Sequence, residues 1–246
     1  MRYEMMYPDQ LRKAIDERWP LVWPIGVLEY HASHCCNGVD TLVVIRAFEE
    51  LEREMNIVIF PPFYFGAASY AVGAPERNGT VHVRPETIMP FAKEVFTDLL
   101  RIGFTNIHGF VHHQSENFSV GMPTDLAFKT ASRQAVFEYI EKERGEGWWG
   151  KDEMRDYYSQ HDAGSDPFSW IQMHPFMADD VQKKYPVDHA GKQETSLMMA
   201  FCPEGVDMKR YKGEHWFVES AKDANIGYGN AAKRDTLESL RMILRP

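Results

Sequence analysis

The sequence predicts an α/β fold built around a mostly parallel sheet. Short apolar runs with the length of buried strands alternate with longer segments whose apolar residues recur every three or four positions, as on one face of a helix. A strand, a helix and a second strand in succession imply a parallel pair joined by a right-handed crossover. At 246 residues the chain is long enough for one large domain of this kind.

The first quarter of the chain shows this alternation clearly. The predicted elements are a helix over residues 7–18, a strand over 21–26, a helix over 40–54 and a strand over 56–60. Asp40 or Thr41 could cap the free amides at the start of the second helix. Pro61 and Pro62 end the second strand.

The rest of the chain continues the pattern with longer connections. We predict a loop over residues 63–78, a helix over 86–101, a strand over 105–111 and helices over 124–143, 194–201 and 228–244. Residues 144–158 are charged but contain Trp148 and Trp149, so we expect an exposed segment that meets a neighbouring subunit. The expected organisation is a single domain over residues 1–246 with an insertion around residues 144–190.

Composition excludes several classes of partner. The net charge of −9 disfavours nucleic acid, whose backbone binds clustered Lys and Arg. No apolar run approaches the roughly 18 residues of a membrane span, and the first residues lack the apolar block of a secretory signal. Three cysteines do not suggest a disulfide framework. We expect a cytoplasmic protein with a small-molecule substrate.

Carboxylates and imidazoles are concentrated in three loops that follow a predicted strand or open a helix. The first loop holds Glu29, His31, His34 and Asp40, the second holds His112, His113, Gln114 and Glu116, and the third holds Asp188, His189 and Glu194. In a doubly wound sheet such loops meet at the carboxyl edge of the strands. We therefore expect the three sets of side chains to form one site.

Mixed carboxylate and imidazole ligands favour Zn, Mn or Fe over Ca or Mg. Two such ions bridged by a carboxylate, for which Asp40 is a candidate, would activate water and polarise a carbonyl oxygen. The simpler interpretations are a capping role for Asp40, and a first-turn carboxylate and cap at Glu116 and Asn117 for the helix that follows. The similar placement of all three loops favours the functional interpretation.

The motifs resemble those of the creatininase (creatinine amidohydrolase) family. Residues 24–31, followed by residues 38–41, resemble Pro-x-Gly-x-x-Glu-x-His and then Gly-x-Asp-Thr. Gly79-Thr80 resembles that family's Gly-Thr, and residues 111–117 resemble its Asn-Gly-His-x-Glu-Asn segment. Residues 189–196 resemble its His-Ala-Gly-x-x-Glu-Thr-Ser signature.

This resemblance implies a three-layer α/β/α fold, one or two divalent ions per subunit and a homo-oligomer, commonly a hexamer. The implied metal ligands are Glu29, His31, Asp40, Gln114 and Glu116, with Asp40 as the bridge. Asp188 and His189 match residues that handle protons during ring opening. Glu194 matches the signature glutamate, which is a further candidate ligand.

The chain departs from the family pattern at Gln114, which stands where the family has a metal-binding histidine. Its carbonyl oxygen is a weaker ligand than imidazole for Zn or Mn. Either Gln114 binds an ion, or His113 takes the role, or one metal position is weakened. Ala71 falls near the place of another family histidine.

These features predict a metal-dependent hydrolase that opens a small cyclic carbonyl substrate with activated water. His189, oriented by Asp188, would protonate the leaving atom. The narrower hypothesis is a keto-inositol ring, as in the family's 3-dehydro-scyllo-inosose hydrolase branch. The alternatives are an amidohydrolase for a creatinine-like cyclic amide, a non-catalytic binding or assembly relative, and an isomerase with one metal.

Overall fold

The computed structural model describes residues 1–245 and contains a sheet of four parallel strands. These are β1 (Leu21–Ile25), β2 (Val58–Ile59), β3 (Ile107–Val111) and β4 (Ile171–Pro175), in the order β2-β1-β3-β4. Leu21 pairs with Val58 on one side and with Ile107 on the other, and Ile107 also pairs with Ile171. The carboxyl ends of all four strands therefore lie at the same edge.

Helices connect the strands and cover the sheet. Among residues 1–245 the α-helices are α1 (Pro8–Asp16), α2 (Val39–Leu51), α3 (Pro85–Ile102), α4 (Pro123–Arg144), α5 (Tyr157–Asp162), α6 (Asp179–Lys184), α7 (Lys192–Phe201) and α8 (Ile226–Leu244). A 3₁₀ helix over Trp216–Asp223 lies between α7 and α8. The predicted succession of strands and helices is confirmed, with ends that shift by a few residues.

All five residues of β1 are buried, as expected for the middle of a parallel sheet covered on both faces. Pro24 lacks a backbone N–H, but its place in β1 means that no hydrogen bond between regular strands is lost. Backbone groups along a strand alternate between its two neighbours. The Leu21 amide donates toward β3, so the nitrogen of Pro24, three residues later, points toward β2. Since β2 ends at Ile59, the missing N–H of Pro24 removes no bond from a regular ladder.

Two hydrophobic layers sandwich the sheet. On one face Trp23 packs edge-on against Phe96 of α3 and Phe128 of α4, with ring centroids 5.2 Å apart in both pairs. On the other face Phe48 of α2 lies 4.9 Å from Phe110 of β3, and buried residues of α7 and α8 complete the cluster. The fold is therefore three-layered, α/β/α, as predicted.

Strand β4 was not predicted and lies within the stretch around residues 144–190. Gln172 and His174 alternate with Ile171 and Met173 along it, which gives the segment a polar average. Because β4 forms an edge of the sheet, four of its five residues are only half-buried. Its sequence therefore lacks the continuous apolar run that identified β1 and β3.

The two adjacent tryptophans do not share one environment. Trp148 is 8% exposed and belongs to the core cluster of α3 and α4, where it contacts Phe137 and Phe168. Trp149 is 45% exposed and packs edge-on against Tyr157. The expectation that both would be exposed is wrong for Trp148, which this chain itself buries.

Within residues 1–245 no helix combines the length and the apolarity that crossing a bilayer requires.

Candidate metal centre

A close approach between β1 and α2 builds the first part of the site. A Cβ on Gly26 would lie 2.5 Å from Thr41 Oγ1 and 2.7 Å from the Thr41 amide, so only glycine fits there. The loop after β1 carries Glu29 and His31, and it faces Asp40 in the first turn of α2. Packing of the strand against the helix start therefore brings these three side chains together.

Asp40 does not cap α2. The helix begins at Val39, its N-cap is Gly38, and no side chain hydrogen-bonds to the cap. The capping interpretation of Asp40 and Thr41 is therefore wrong. The Asp40 carboxylate is 2% exposed and faces two imidazoles.

Six side chains converge into overlapping groups that could hold metal ions. The groups are Glu29, Asp40 and His113; His31, Asp40 and Glu194; and Glu29, His31 and His189. The first two share Asp40, which presents Oδ2 to one and Oδ1 to the other. One carboxylate therefore contributes an oxygen to each of two candidate metal-binding groups.

The spacing of the ligand atoms fits zinc-like coordination. Ligand atoms about 2.1 Å from one ion at tetrahedral angles lie roughly 3.4 Å apart. His113 Nδ1 lies 3.1 Å from Asp40 Oδ2 and 3.4 Å from Glu29 Oε2. His31 Nε2 lies 3.2 Å from Asp40 Oδ1 and 3.4 Å from Glu194 Oε2. Both sets therefore fit a divalent ion.

His31 is held as a metal ligand would be. Its Nδ1–H donates to the Glu29 carbonyl oxygen at 2.9 Å, which fixes the ring and leaves Nε2 toward the carboxylates. His31 Nε2 is fully buried and makes a well-aligned hydrogen bond to neither Asp40 nor Glu194. A nitrogen that faces carboxylates without a good hydrogen bond suits an ion between them.

Among the protein groups themselves, the charges of the cluster balance by proton sharing. Burial opposes a charge on His31, but Glu194 and Asp40 outweigh it and raise its pKa well above the usual value. Burial would raise the pKa values of Asp40 and Glu194, yet His31 holds both below their usual values, with help from His113 at Asp40. Burial raises the pKa of Glu29. The imidazoles thus offset the carboxylate charges at the positions that a cation could otherwise occupy.

In the second loop, the side chain that contacts the cluster is not the one at the family's ligand position. Gln114 has a left-handed backbone (φ +52°), and it lines the cavity beside the cluster while His113 contacts Asp40. Glu116 has an exposed side chain and belongs to none of the three groups. Glu116 and Asn117 do not start α4 either, because Met122 is its N-cap and Asp125 its first-turn carboxylate.

In the third loop, Asp188 holds the start of α7. Its oxygens accept hydrogen bonds from the Gln193 and Glu194 amides at 2.8 and 3.0 Å. His189 instead hydrogen-bonds through Nε2 to the Tyr30 carbonyl at 2.9 Å, so that carbonyl orients the ring. His34 lies outside the three groups and bonds to the Ala190 carbonyl.

A cavity of about 340 Å³ opens beside the cluster. Residues of all three loops line it, together with Ser69, Ala71 and Val72 of the long loop over residues 63–78. A larger hollow of about 910 Å³ lies near the opposite edge of the sheet, but its lining includes none of the residues of the three groups. The smaller cavity is therefore the candidate substrate site.

Sequence reasoning missed the Tyr30 carbonyl and the cavity wall at Val187 and Gln193. A backbone carbonyl carries no signal in the residue type, and neither Val nor Gln suggests chemistry alone. The placement of Asp188 ahead of α7 was detectable, since carboxylates are common at helix starts.

The comparisons with known proteins agree with this geometry. The family profile described as "Creatininase: Creatinine amidohydrolase" matches residues 4–237. A creatinine amidohydrolase of Pseudomonas putida is 24% identical over 194 residues, which cover 77% of this chain and 67% of that protein. A 3-dehydro-scyllo-inosose hydrolase of Thermotoga maritima is 20% identical over 236 residues, which cover 96% of this chain and 65% of that protein. The chain spans about two thirds of the length of both relatives.

Solved structures show the same fold. A crystal structure of creatinine amidohydrolase (creatininase) has a TM-score of 0.72 at 18% identity, covering 100% of this chain and 98% of that chain. A structure described as "Creatininase Mn" has a TM-score of 0.71 at 18% identity, covering 100% of this chain and 99% of that chain. A mutant creatininase of "Zn-Zn type" has a TM-score of 0.70 at 18% identity, covering 100% of this chain and 98% of that chain.

The three-layer fold and the carboxylate–imidazole cluster define a metal-dependent hydrolase of the α/β class. The family match spans most of the sequence. The chain belongs to the creatininase family.

Proposed function

We propose that this protein opens a small cyclic carbonyl substrate by hydrolysis, with two divalent ions held by the cluster. The observation that carries the proposal is the sharing of Asp40 between two ligand groups with metal-like spacing. Glu29, Asp40 and His113 would hold the first ion, and His31, Asp40 and Glu194 the second. Bound ions of this kind supply an activated water and polarise a carbonyl oxygen.

The ligand chemistry favours Zn or Mn, with Fe as a third candidate. Each group joins imidazole nitrogen to carboxylate oxygen, a set that these borderline cations accept readily. The structurally similar creatininases include a manganese form and a zinc form, which supports the same choice.

The hydrogen bond of His189 assigns its proton-transfer atom. Nε2–H donates to the Tyr30 carbonyl, so Nδ1 is left for chemistry. Nδ1 lies 3.9 Å from Glu29 Oε2, and the side chain is 23% exposed. His189 Nδ1 could therefore accept a proton from the attacking water and then pass it to the leaving atom of a substrate beside the cluster.

For the substrate we propose a keto-inositol related to 3-dehydro-scyllo-inosose. The cavity of about 340 Å³ suits a small molecule, and its walls carry amide and imidazole side chains. The Thermotoga maritima relative named for this substrate aligns with 96% of the chain. A creatinine-like cyclic amide is the second candidate, because the Pseudomonas putida relative has the higher identity.

The proposal for the assembly rests on the family resemblance, and the proposal for the cellular setting rests on the sequence pattern of the first residues. We propose a homo-oligomer, specifically a hexamer, that works in the cytoplasm on a small molecule without a nucleic-acid or membrane partner. Size-exclusion chromatography with light scattering would measure the number of subunits.

The experiment is a turnover assay of the metal-loaded protein in ¹⁸O-labelled water with 3-dehydro-scyllo-inosose and creatinine. We expect ring opening of at least one substrate, one ¹⁸O in the product carboxylate, and loss of turnover after chelation. Product without label would indicate an isomerase. A protein that binds no Zn, Mn or Fe and gains no activity from them would be the non-catalytic relative.

We expect His189→Asn to lower kcat by roughly 10²–10⁴-fold, the usual contribution of a general acid or base. Metal content should stay at the wild-type value, because the proposed ligand sets do not include His189. Parallel measurements of kcat and metal per subunit test both expectations. A variant that keeps its kcat would contradict the proton-transfer role.

Asp188→Asn is the matched comparison. Because its carboxylate caps α7 instead of touching His189, we expect loss of stability, about 1 kcal/mol as for other cap residues, and a much smaller change in kcat. A fall in kcat as large as that of His189→Asn would restore the orienting role for Asp188.

A further inference from the structure

Two buried polar side chains on one wall of the cavity have no role in the proposed metal groups. His112 is 6% exposed and Gln193 is 2% exposed, and both line the cavity of about 340 Å³. Neither belongs to the ligand sets proposed above. Both side chains are therefore available for contacts other than metal binding.

His112 and Gln193 contact neighbouring segments of the chain around the cavity. The His112 ring packs 5.2 Å from Phe176, and Gln193 Nε2 lies 3.3 Å from the sulfur of Met177, the next residue. His112 Nε2 also lies 3.9 Å from Oε1 of Glu194, the residue that follows Gln193. Both side chains therefore border the same cavity, and their contacts are with consecutive residues of two segments.

Both side chains have unused hydrogen-bonding capacity. His112 Nε2 is buried without a hydrogen-bond partner among residues 1–245. The one side-chain hydrogen bond described for Gln193 goes to a methionine sulfur, which is a weak acceptor. Buried polar groups are nearly always paired, so His112 Nε2 is left for an external partner, and the Gln193 amide has further capacity to bind one.

The side chains around His112 Nε2 and the Gln193 amide indicate which kind of chemical group could bind there. An anionic group here would meet the Glu194 carboxylate, whose Oε1 lies 3.9 Å from His112 Nε2. A cationic group could donate to the Gln193 carbonyl oxygen, but it would leave the amide nitrogen with only the methionine sulfur as acceptor. A hydroxyl group can donate to the Gln193 carbonyl oxygen and accept from the amide nitrogen or from the imidazole.

We propose that His112 and Gln193 form a subsite that binds a hydroxyl group of the ring substrate. This inference rests on the proposed hydrolase function and narrows its substrate class to a hydroxylated ring. The carbonyl would lie at the metal-binding cluster and His189, whereas His112 and Gln193 would bind a neighbouring part of the molecule.

The test compares the metal-loaded wild type with Gln193→Met, using 3-dehydro-scyllo-inosose and creatinine as probes. Methionine keeps the length of the side chain but removes the amide. We expect KM for 3-dehydro-scyllo-inosose to rise roughly tenfold or more, with little change in kcat, because the lost contact would bind substrate and transition state alike. KM for creatinine, which lacks hydroxyls, and metal content should not change.

Gln172→Met is the control, since Gln172 lines the opposite hollow and should leave both KM values unchanged. If Gln193→Met does not fold, His112→Phe removes the neighbouring partner and should raise KM for the same probe.

Three outcomes would overturn the subsite. Unchanged KM in a folded Gln193→Met, or wild-type turnover of creatinine alone, would contradict it while leaving the hydrolase function intact. Absence of both turnover and calorimetric binding of either probe by the wild type would contradict the subsite together with the proposed function.

Discussion

Asp40→Asn is expected to abolish stoichiometric binding of both ions and to lower activity by more than 10²-fold. The Asp40 oxygens lie 3.2 Å from His31 Nε2 and 3.1 Å from His113 Nδ1, so one substitution removes a charged ligand from both proposed positions. Loss of an outer contact to a metal ligand costs 10–100-fold, and loss of the bridge should exceed that. Metal analysis and kcat/KM measure the two effects.

Asp125→Asn provides a matched control for this experiment. Asp125 is also 2% exposed and also lies in the first turn of its helix, but it accepts a hydrogen bond from the Met122 amide. We expect a stability loss of about 1 kcal/mol with metal content intact. Retention of both ions by Asp40→Asn would contradict the bridging role.

Periodicity predicted most of the fold because most elements bury a continuous or regularly spaced apolar face. β1 and β3 are buried at every residue, and α3 repeats apolar residues at helical spacing. β4 escaped prediction because an edge strand is only half-buried and tolerates Gln172 and His174. Tertiary position, which composition does not encode, decides whether such a segment becomes a strand.

The meeting of the three loops could be predicted, whereas the choice of atoms within each loop could not. Parallel strands place their carboxyl ends together, so Glu29, His31, Asp40 and Glu194 were expected at one edge. His113, and not Gln114, faces Asp40, and the path of the backbone after β3 changes direction there. The backbone is left-handed at Gln114, a conformation that residue type alone rarely indicates.

His113→Gln is expected to remove one ion and leave the other. His113 Nδ1 lies within 3.4 Å of both Asp40 and Glu29, whereas the second group uses His31 and Glu194 instead. An amide oxygen is a weaker ligand than imidazole for Zn or Mn, so we expect affinity at the first position to fall by at least roughly tenfold. Chelator competition, measured ion by ion, gives the change.

Gln114→His distinguishes the two candidate ligands. If His113 holds the ion, the substitution should leave both affinities nearly unchanged, and it should not rescue His113→Gln in the double variant. If Gln114 faces the ion, the single substitution should tighten binding and the double variant should recover it. We expect no rescue, because His113 contacts Asp40 and belongs to a ligand group, whereas Gln114 belongs to none of the three groups. If the double variant recovered metal affinity, the ligand would be residue 114 instead of His113. The loop after β3 would then have to follow a different path.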